Sequence, residues 1–321
     1  MNILVTGGTG FVGTSLIKTI DEQGLHNVCV STRQRGRAGS ERVRFATVEE
    51  IGLQTEWYPL LSGIEAVIHL AARVHVMHDR ASDPLEEFRR VNVNATVRLA
   101  QHAAASGVKR FVFVSSIKVN GESTRPGRPF THADLPAPID PYGISKYEAE
   151  QRLTEISRLT GMQLVIVRPP LLYGPGVKAN FLNLMQLLNR GLPLPISNVL
   201  NQRSLCSVEN LVNLLICCLT HPDAANKLFL VSDGEDVSTA DLARRIAAAL
   251  GRNVRLFPIP ISWAKGIATA LGRGAAIERL YGTLQVDISY ARKVLGWTPF
   301  LTLDEGLRRT AVAYLKHGGA P

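Results

Sequence analysis

Cysteine is scarce in this chain of 321 residues: Cys29, Cys206, Cys217 and Cys218 are the only four. No CxxC spacing links them and no paired histidines accompany them, which excludes a disulfide scaffold and a metal site of structural zinc type. Cys217 and Cys218 are neighbours in an apolar helical run, where core packing accounts for them. Long hydrophobic runs are lacking too. The most apolar stretch, Leu211 to Leu219, is interrupted by Asn213 and falls far short of a membrane span. No basic and apolar leader precedes the strand-like opening Met1-Asn2-Ile3-Leu4-Val5-Thr6, so the expectation is a cytoplasmic protein without a secretory signal. Charged residues make up 20% of the chain against 45% hydrophobic, which excludes disorder and leaves material for a full core. Acid is the charge in deficit, with 36 Lys and Arg against 27 Asp and Glu, for a formal +9. Such a balance suits an anionic ligand and equally a nucleic acid.

What is present is an alternation of strand-length apolar runs and longer helical patterns. Strands are expected near Asn2–Thr6, Asn27–Ser31, Ala66–Leu70, Arg110–Ser115, Gln163–Arg168 and Leu228–Ser232. Continuous runs such as Phe111-Val112-Phe113-Val114 suit strands buried on both faces of a parallel sheet. Asp83-Pro84 marks a helix start, and that helix is expected to run to Ala105, before Gly107 stops it. Ser238 with Asp241 predicts a capping box for a helix through Leu250. The fold class is therefore α/β, a doubly wound parallel sheet. Proline and glycine punctuate Pro169 to Pro195, and short helices follow Ser238. Residues 1–170 are expected to form a cofactor-binding domain, to which 203–235 returns, and 171–321 mainly a smaller C-terminal substrate-binding lobe.

Gly7-Gly8-Thr9-Gly10-Phe11-Val12-Gly13 sets glycines between the first strand and its helix. A tight turn asks for Gly7, close backbone approach to a pyrophosphate asks for Gly10, and close helix–strand packing asks for Gly13. Helix-start amides then face phosphate charge, a dinucleotide signal in this position. An NAD site normally carries an acid after the second strand, to hold the ribose hydroxyls. Here Ser31-Thr32-Arg33 stands instead, within a basic stretch that includes Arg35, Arg37, Arg42 and Arg44. A guanidinium there can grip a 2′-phosphate, so NADP(H) is the preferred expectation, with NAD(H) possible.

Tyr142 and Lys146 lie four apart, one face of a helix, so hydroxyl and ammonium can share a site. A neighbouring cation favours the phenolate, and a fall of roughly three pKa units represents about 4 kcal/mol. Such a tyrosine can exchange protons near neutral pH, as carbonyl reduction or alcohol oxidation requires. Ser115-Ser116 ends the strand Phe111–Val114 at the carboxyl edge, where a hydroxyl can bond a substrate oxygen that gathers charge. Any one of these signals is common; their order along one chain is far more specific.

The constellation resembles the extended short-chain dehydrogenase/reductase family, in its nucleotide-sugar epimerase/dehydratase branch, over nearly the whole chain. Further marks are His69-Leu70-Ala71-Ala72, Asn92-Val93-Asn94-Ala95-Thr96, Pro141-Tyr142-Gly143, Arg168-Pro169-Pro170, Tyr173-Gly174-Pro175-Gly176 and Leu295-Gly296-Trp297. The resemblance implies a Rossmann-like fold, with Tyr142 as acid/base and Lys146 tuning it while holding the nicotinamide ribose. It implies that Ser116 bonds the reacting sugar oxygen, and that Leu70, Ala71, Ala72 and Pro169 lie along the cofactor. Glu50-Ile51 would sit near the adenine. Asn180 would meet the sugar nucleotide and Arg203 its diphosphate. A homodimer through Pro84–Ala105 and Tyr142–Leu159 is the family expectation. The partner expected is a UDP-activated sugar; neither a nucleic acid nor a membrane span is expected, and no metal.

Three reactions compete within that branch. Dehydratases place an acidic, proton-carrying pair directly after the catalytic Ser or Thr, where this chain has Ile117-Lys118. Epimerases retain NAD and commonly show VYG where Val119-Asn120-Gly121 stands. With Arg33 pointing to NADPH, the expectation is a 4-keto reductase acting on a UDP-4-keto-6-deoxy-N-acetylhexosamine in lipopolysaccharide or O-antigen sugar biosynthesis. Hydride would go to C4 and Tyr142 would protonate the oxygen. The alternative is a UDP-sugar 4-epimerase with retained NAD.

Overall fold

The computed structural model describes residues 1–74, 83–260, 263 and 280–316. Its first half alternates as the sequence suggests. The elements run β1 (Asn2–Thr6), α1 (Phe11–Gln23), β2 (Asn27–Thr32), β3 (Val43–Thr47), α2 (Tyr58–Leu61), β4 (Ala66–His69), α3 (Pro84–Phe88), α4 (Ala95–Ala105), β5 (Arg110–Val114), α5 (Pro141–Thr160) and β6 (Gln163–Arg168). β7 (Leu171–Tyr173), α6 (Ala179–Asn189), β8 (Arg203–Ser207), α7 (Val208–Thr220), β9 (Lys227–Leu230), β10 (Asp236–Val237) and α8 (Thr239–Ala249) follow, then α9 (Ser289–Leu295) and α10 (Leu303–Lys316).

Seven strands form one parallel sheet in the order β3-β2-β1-β4-β5-β6-β9. The order reverses between β1 and β4, and that switch point opens a crevice at the strands' carboxyl ends. Both faces are covered, so the central strands carry no polar face: Ile3, Leu4, Val5, Phe111, Val112 and Phe113 are wholly buried. Each such side chain contributes about 1.5–3 kcal/mol by leaving water. One face packs under α1 and α7, and the other under α2, α4 and α5. A smaller sheet, β10-β8-β7, carries a separate core with Tyr173, Phe181, Met185, Leu205, Ile246 and Leu307.

Side-chain caps set the helix starts. Asp83 accepts from the Glu86 amide at 3.2 Å, Asp140 from Gly143 at 2.6 Å, and Ser238 from Asp241 at 3.0 Å. The single helix expected over 84–105 is interrupted. Residues Arg89–Asn94 form a π-helical segment between α3 and α4. Within it Asn92 turns inward, accepting from the Arg73 amide at 2.8 Å and donating to the Arg73 carbonyl at 3.0 Å and to Ser145 Oγ at 3.0 Å. Those bonds compensate the widened turn, a feature that concentrates at functional sites. No described helix is long and apolar enough to cross a membrane.

Candidate active site

Gly7 sits at φ +71°, and a Cβ there would lie 2.6 Å from the Ala71 amide nitrogen. The loop after β1 therefore packs directly on Leu70-Ala71-Ala72, the segment leaving β4. A Cβ on Gly13 would come within 2.3 Å of the Gly7 carbonyl, so only glycine lets α1 start this close to the loop. Gly10 is the N-cap of α1 and offers no side chain to its first amides, which leaves those of Phe11 and Val12 facing the crevice end of the helix.

Thr32 closes β2 and is buried; its hydroxyl accepts from the Gln34 amide at 3.1 Å. Arg33 is exposed. Much of the basic stretch beyond it is engaged locally. Arg35 pairs with Glu49 at 2.6 Å, Arg37 lies over Phe45 with 4.7 Å to the ring centroid, and Arg44 donates to Cys29 Sγ at 3.4 Å. Glu50 is exposed and bonds Arg90 at 2.7 Å, while Ile51 packs against the core under β4 and β5.

Ser116 follows β5 and caps a 3₁₀ turn, Ile117–Val119, by accepting from the Lys118 amide at 3.3 Å. Tyr142 stands in the first turn of α5, with its ring edge-on to Phe88 at 6.0 Å. Its hydroxyl faces Ser116, which favours the ionised phenol. Lys146 is buried; it donates to the Val114 carbonyl at 2.9 Å and lies 4.5 Å from the centre of the Phe113 ring. Ser116, Tyr142 and Lys146 are thus brought together at the carboxyl edge of β5. Pro169 joins them through its carbonyl, which accepts from the Ile117 amide at 3.0 Å.

The electrostatics differ from the expectation. Burial, with Asp140 adding to it, pushes the Tyr142 phenol above its ordinary range, and only Ser116 acts the other way. Burial also pulls Lys146 down to about 7, against the raising influence of Glu150. The simple cation-lowers-phenol account is therefore corrected: desolvation dominates both groups. His69 shares this environment. Burial and Lys146 pull it down to about 3, and it is hydrogen-bonded to Thr6 Oγ1 at 2.6 Å and Thr96 Oγ1 at 2.9 Å.

Behind the site lies a buried brace that sequence reasoning missed. Arg168 on β6 donates to Glu150 Oε1 at 2.9 Å and to Asn120 Oδ1 at 2.9 Å. Asn120 in turn donates to the Thr131 carbonyl at 3.2 Å. Glu150 follows Lys146 by four residues, a spacing that could have flagged it. Asn180 lies exposed in the first turn of α6. Arg203 begins β8 and donates to the Gly282 carbonyl at 3.0 Å. Neither stands on the elements that carry Ser116 and Tyr142.

Residues 3–232 match the model of the NAD dependent epimerase/dehydratase family. The chain belongs to that family. A UDP-glucose 4-epimerase from Vibrio cholerae is 46% identical over 316 residues, 98% of this chain and 96% of that protein. Among solved structures, UDP-glucuronic acid 4-epimerase from Bacillus cereus in complex with NAD matches with TM-score 0.80 at 20% identity, over 100% of this chain and 99% of that one. UDP-N-acetylglucosamine 4-epimerase from the same organism matches with TM-score 0.80 at 21% identity, over 99% and 100%. At such identity these structures establish the α/β fold.

For this family member the 4-keto reductase expectation is corrected, because the near-full-length relative at 46% identity is a 4-epimerase. Ile117 and Asn120, which set the chain apart from the dehydratase and epimerase patterns, both serve packing. Ile117 is a buried core residue of the turn after Ser116, and Asn120 is buried as a link to Arg168. Neither favours a 4-keto reductase over a 4-epimerase.

Proposed function

We propose that the protein is a UDP-sugar 4-epimerase that retains NAD. The 46% identity to a UDP-glucose 4-epimerase, spanning both chains almost end to end, carries this reading. The NADP(H) preference inferred from Arg33 gains no support: that arginine is exposed, and the solved relative carries NAD.

The chain's residues fit a dinucleotide. A side chain at Gly7 or Gly13 would fill the cradle between β1, α1 and the exit of β4, and the start of α1 has amides but no side-chain cap. Ser31 Oγ and Ser115 Oγ, at the carboxyl ends of β2 and β5, are buried without a partner among the described residues. Gly7, Gly10, Phe11, Val12 and Gly13 would hold the pyrophosphate, with Thr32, Arg33, Glu50 and Ile51 toward the adenosine. Leu70, Ala71, Ala72 and Pro169 would flank the remainder. When bound, NAD supplies reversible oxidation of the sugar's C4 alcohol.

Tyr142 takes the proton from the 4-hydroxyl and returns it to the 4-keto oxygen. Ser116 donates to the same oxygen, from its place beside Tyr142 at the end of β5. Lys146, anchored on the Val114 carbonyl, would hold the nicotinamide ribose beside Tyr142. Inversion further requires that the ketone turn its other face before reduction. Asn180 and Arg203, in residues 171–321, are the proposed holders of the nucleotide end. The homodimer through α3–α4 and α5 belongs to the same reading.

The test is interconversion of UDP-glucose with UDP-galactose, and of UDP-GlcNAc with UDP-GalNAc, followed by NMR without added cofactor. Bound dinucleotide is identified after acid release. Interconversion of either pair with NAD recovered supports the proposal. No interconversion by protein shown to contain NAD overturns it.

A further inference from the structure

Ser116 and Tyr142 stand on different elements, the turn after β5 and the first turn of α5, and one side chain bridges the two. Lys118 lies two residues beyond Ser116. Its ammonium donates to Asp140 Oδ2 and, at 3.0 Å, to Glu122 Oε1. The other oxygen of Asp140 accepts from the Gly143 amide at 2.6 Å and so caps α5. One carboxylate therefore serves both elements: Oδ1 closes the helix that carries Tyr142, and Oδ2 grips the turn that carries Ser116.

The backbones are as close as the side chains. A Cβ on Gly143 would lie 2.9 Å from the Lys118 carbonyl oxygen and 3.3 Å from the Lys118 Cβ, so the turn rests directly on the helix. Ser116 Oγ holds the Lys118 amide at 3.3 Å, and the Val119 carbonyl accepts from the Ala137 amide at 2.9 Å on the approach to α5. The side chains of Lys118 and Asp140 are only 25% and 26% exposed, which leaves their attraction less screened than that of a surface pair. The charge counts too. Together with burial, the Asp140 carboxylate pushes the Tyr142 phenol up, since a like charge disfavours the phenolate. Lys118 pairs with that carboxylate. Among the described residues, Lys146 one turn along α5, Glu122 beyond Lys118, and Arg73 across the Phe88 ring also face this region. Against Lys146, His69 is neutral and Glu150 is taken up by Arg168.

On the 4-epimerase reading, on which this role rests, we propose that Lys118 is a positioning residue: through Asp140 it holds the Ser116 turn in register with Tyr142 and neutralises the carboxylate at the start of that tyrosine's helix. It acts at one remove from the sugar. Without the ammonium, the turn keeps its backbone bonds but loses the tie that sets two hydroxyls on one oxygen. The phenol then also faces an unpaired carboxylate. Both losses fall on the proton transfer, and neither falls on Asn180 in α6 or Arg203 in β8, the proposed holders of the nucleotide end.

The test compares Lys118→Met, Lys118→Arg, Asp140→Asn, and Lys118→Met combined with Asp140→Asn, in which asparagine keeps the helix cap while the charge is gone. Two readouts are taken on the full chain with its dinucleotide. One is UDP-sugar kinetics; the other is fluorine NMR of protein labelled with fluorotyrosine, the Tyr142 resonance being identified by its loss in Tyr142→Phe. Lys118→Met should lower kcat by about fivefold or more with KM kept within about twofold, and should move the Tyr142 resonance. Lys118→Arg should restore both, and removing the second charge should recover part of each. Asp140→Asn alone, which leaves the ammonium without its carboxylate, should move the resonance the opposite way, and it serves if Lys118→Met does not fold. An unmoved resonance in Lys118→Met, a shift of the same sign in Asp140→Asn, or a loss that neither arginine nor the double variant reverses would overturn the proposal. Wild-type protein that interconverts neither sugar pair would sink the epimerase reading, and the resonance alone would then decide the role of Lys118.

Discussion

Lys146 shows how a single residue answers two opposed demands. Its ammonium is buried at the end of β5, with the Val114 carbonyl and the Phe113 ring as close partners. The same burial excludes water from the phenol beside it. A tyrosine raised by burial holds its proton well, and Ser116 is the one neighbour that favours its ionised form. Replacing Tyr142 by Phe removes the proton carrier and keeps the ring against Phe88. Turnover of the UDP-sugar should fall by roughly 10²–10⁴-fold while bound dinucleotide and thermal stability stay near wild type. Full turnover in Tyr142→Phe would discard the assigned role. His69 yields a second prediction at this scale. It is neutral and buried, pulled down to about 3, whereas in the unfolded chain it titrates near 6.5. Its stabilising effect is therefore complete above pH 6.5 and is lost as the pH falls toward 3, because the unfolded state takes up the proton first. Between pH 7.5 and 5 this amounts to about 2 kcal/mol. Urea unfolding of His69→Asn should lose that much less over the same interval than wild type, and parallel acid limbs would refute it.

Among elements, α7 and β5 are tied by one arginine. Arg110 Nη1 donates to the carbonyls of Cys218, Leu219 and His221 at 3.0, 2.9 and 2.9 Å, and Nε and Nη2 both reach Gln163 Oε1. The last carbonyls of a helix have no partner within it, and a cation there also meets the negative end of its dipole. Arg110→Met should cost about 2–4 kcal/mol in urea unfolding, since it strands three buried acceptors and Gln163 together. A cost below about 1 kcal/mol would mean that water replaces the guanidinium. Ties of this kind separate what is legible in the sequence from what is not. β1, β5 and β6 are runs of apolar residues bounded by glycine or by polar turns, and Asp83 and Ser238 are local caps, so local pattern discloses all of them. β3 is different: Val43-Arg44-Phe45-Ala46-Thr47 is an edge strand with two half-buried residues and an arginine, too polar to register as a buried run. The π segment at Arg89–Asn94 escapes a local reading because its cause is tertiary, the bonds of Asn92 to Arg73 and Ser145. The order of glycine loop, serine and tyrosine–lysine pair points to the candidate site, but not to the burial that sets its pKa values, nor to the Glu150–Arg168–Asn120 brace.

At the scale of the molecule, the two sheets are joined by a small buried knot. Asp233, just past β9 of the large sheet, accepts from Tyr173 of β7 at 2.6 Å, from the Ser207 amide at the end of β8 at 2.8 Å, and from Asn210 of α7 at 2.7 Å. Asn210 also accepts from the Phe300 and Leu301 amides at 3.1 Å and donates to the Leu301 carbonyl at 2.9 Å, fastening the segment before α10. Burial raises the Asp233 carboxyl while its three donors hold it down. The knot links units that carry different parts of the proposed site: the triad on the large sheet, Asn180 and Arg203 beside the small one. Loosening it should therefore disturb how the nucleotide end is held before it disturbs the proton transfer. In Asp233→Ala three buried donors lose their acceptor, and unfolding free energy should fall by about 2–4 kcal/mol. Below its melting temperature the variant should show a KM for UDP-sugar raised by roughly fivefold or more, with kcat kept within about twofold. Tyr173→Phe, which leaves Oδ1 with its two donors and takes the one donor from Oδ2, should show the same direction and a smaller size. A fall in kcat at unchanged KM would instead place the knot's influence on Tyr142 and Ser116, through β6 and its brace to α5.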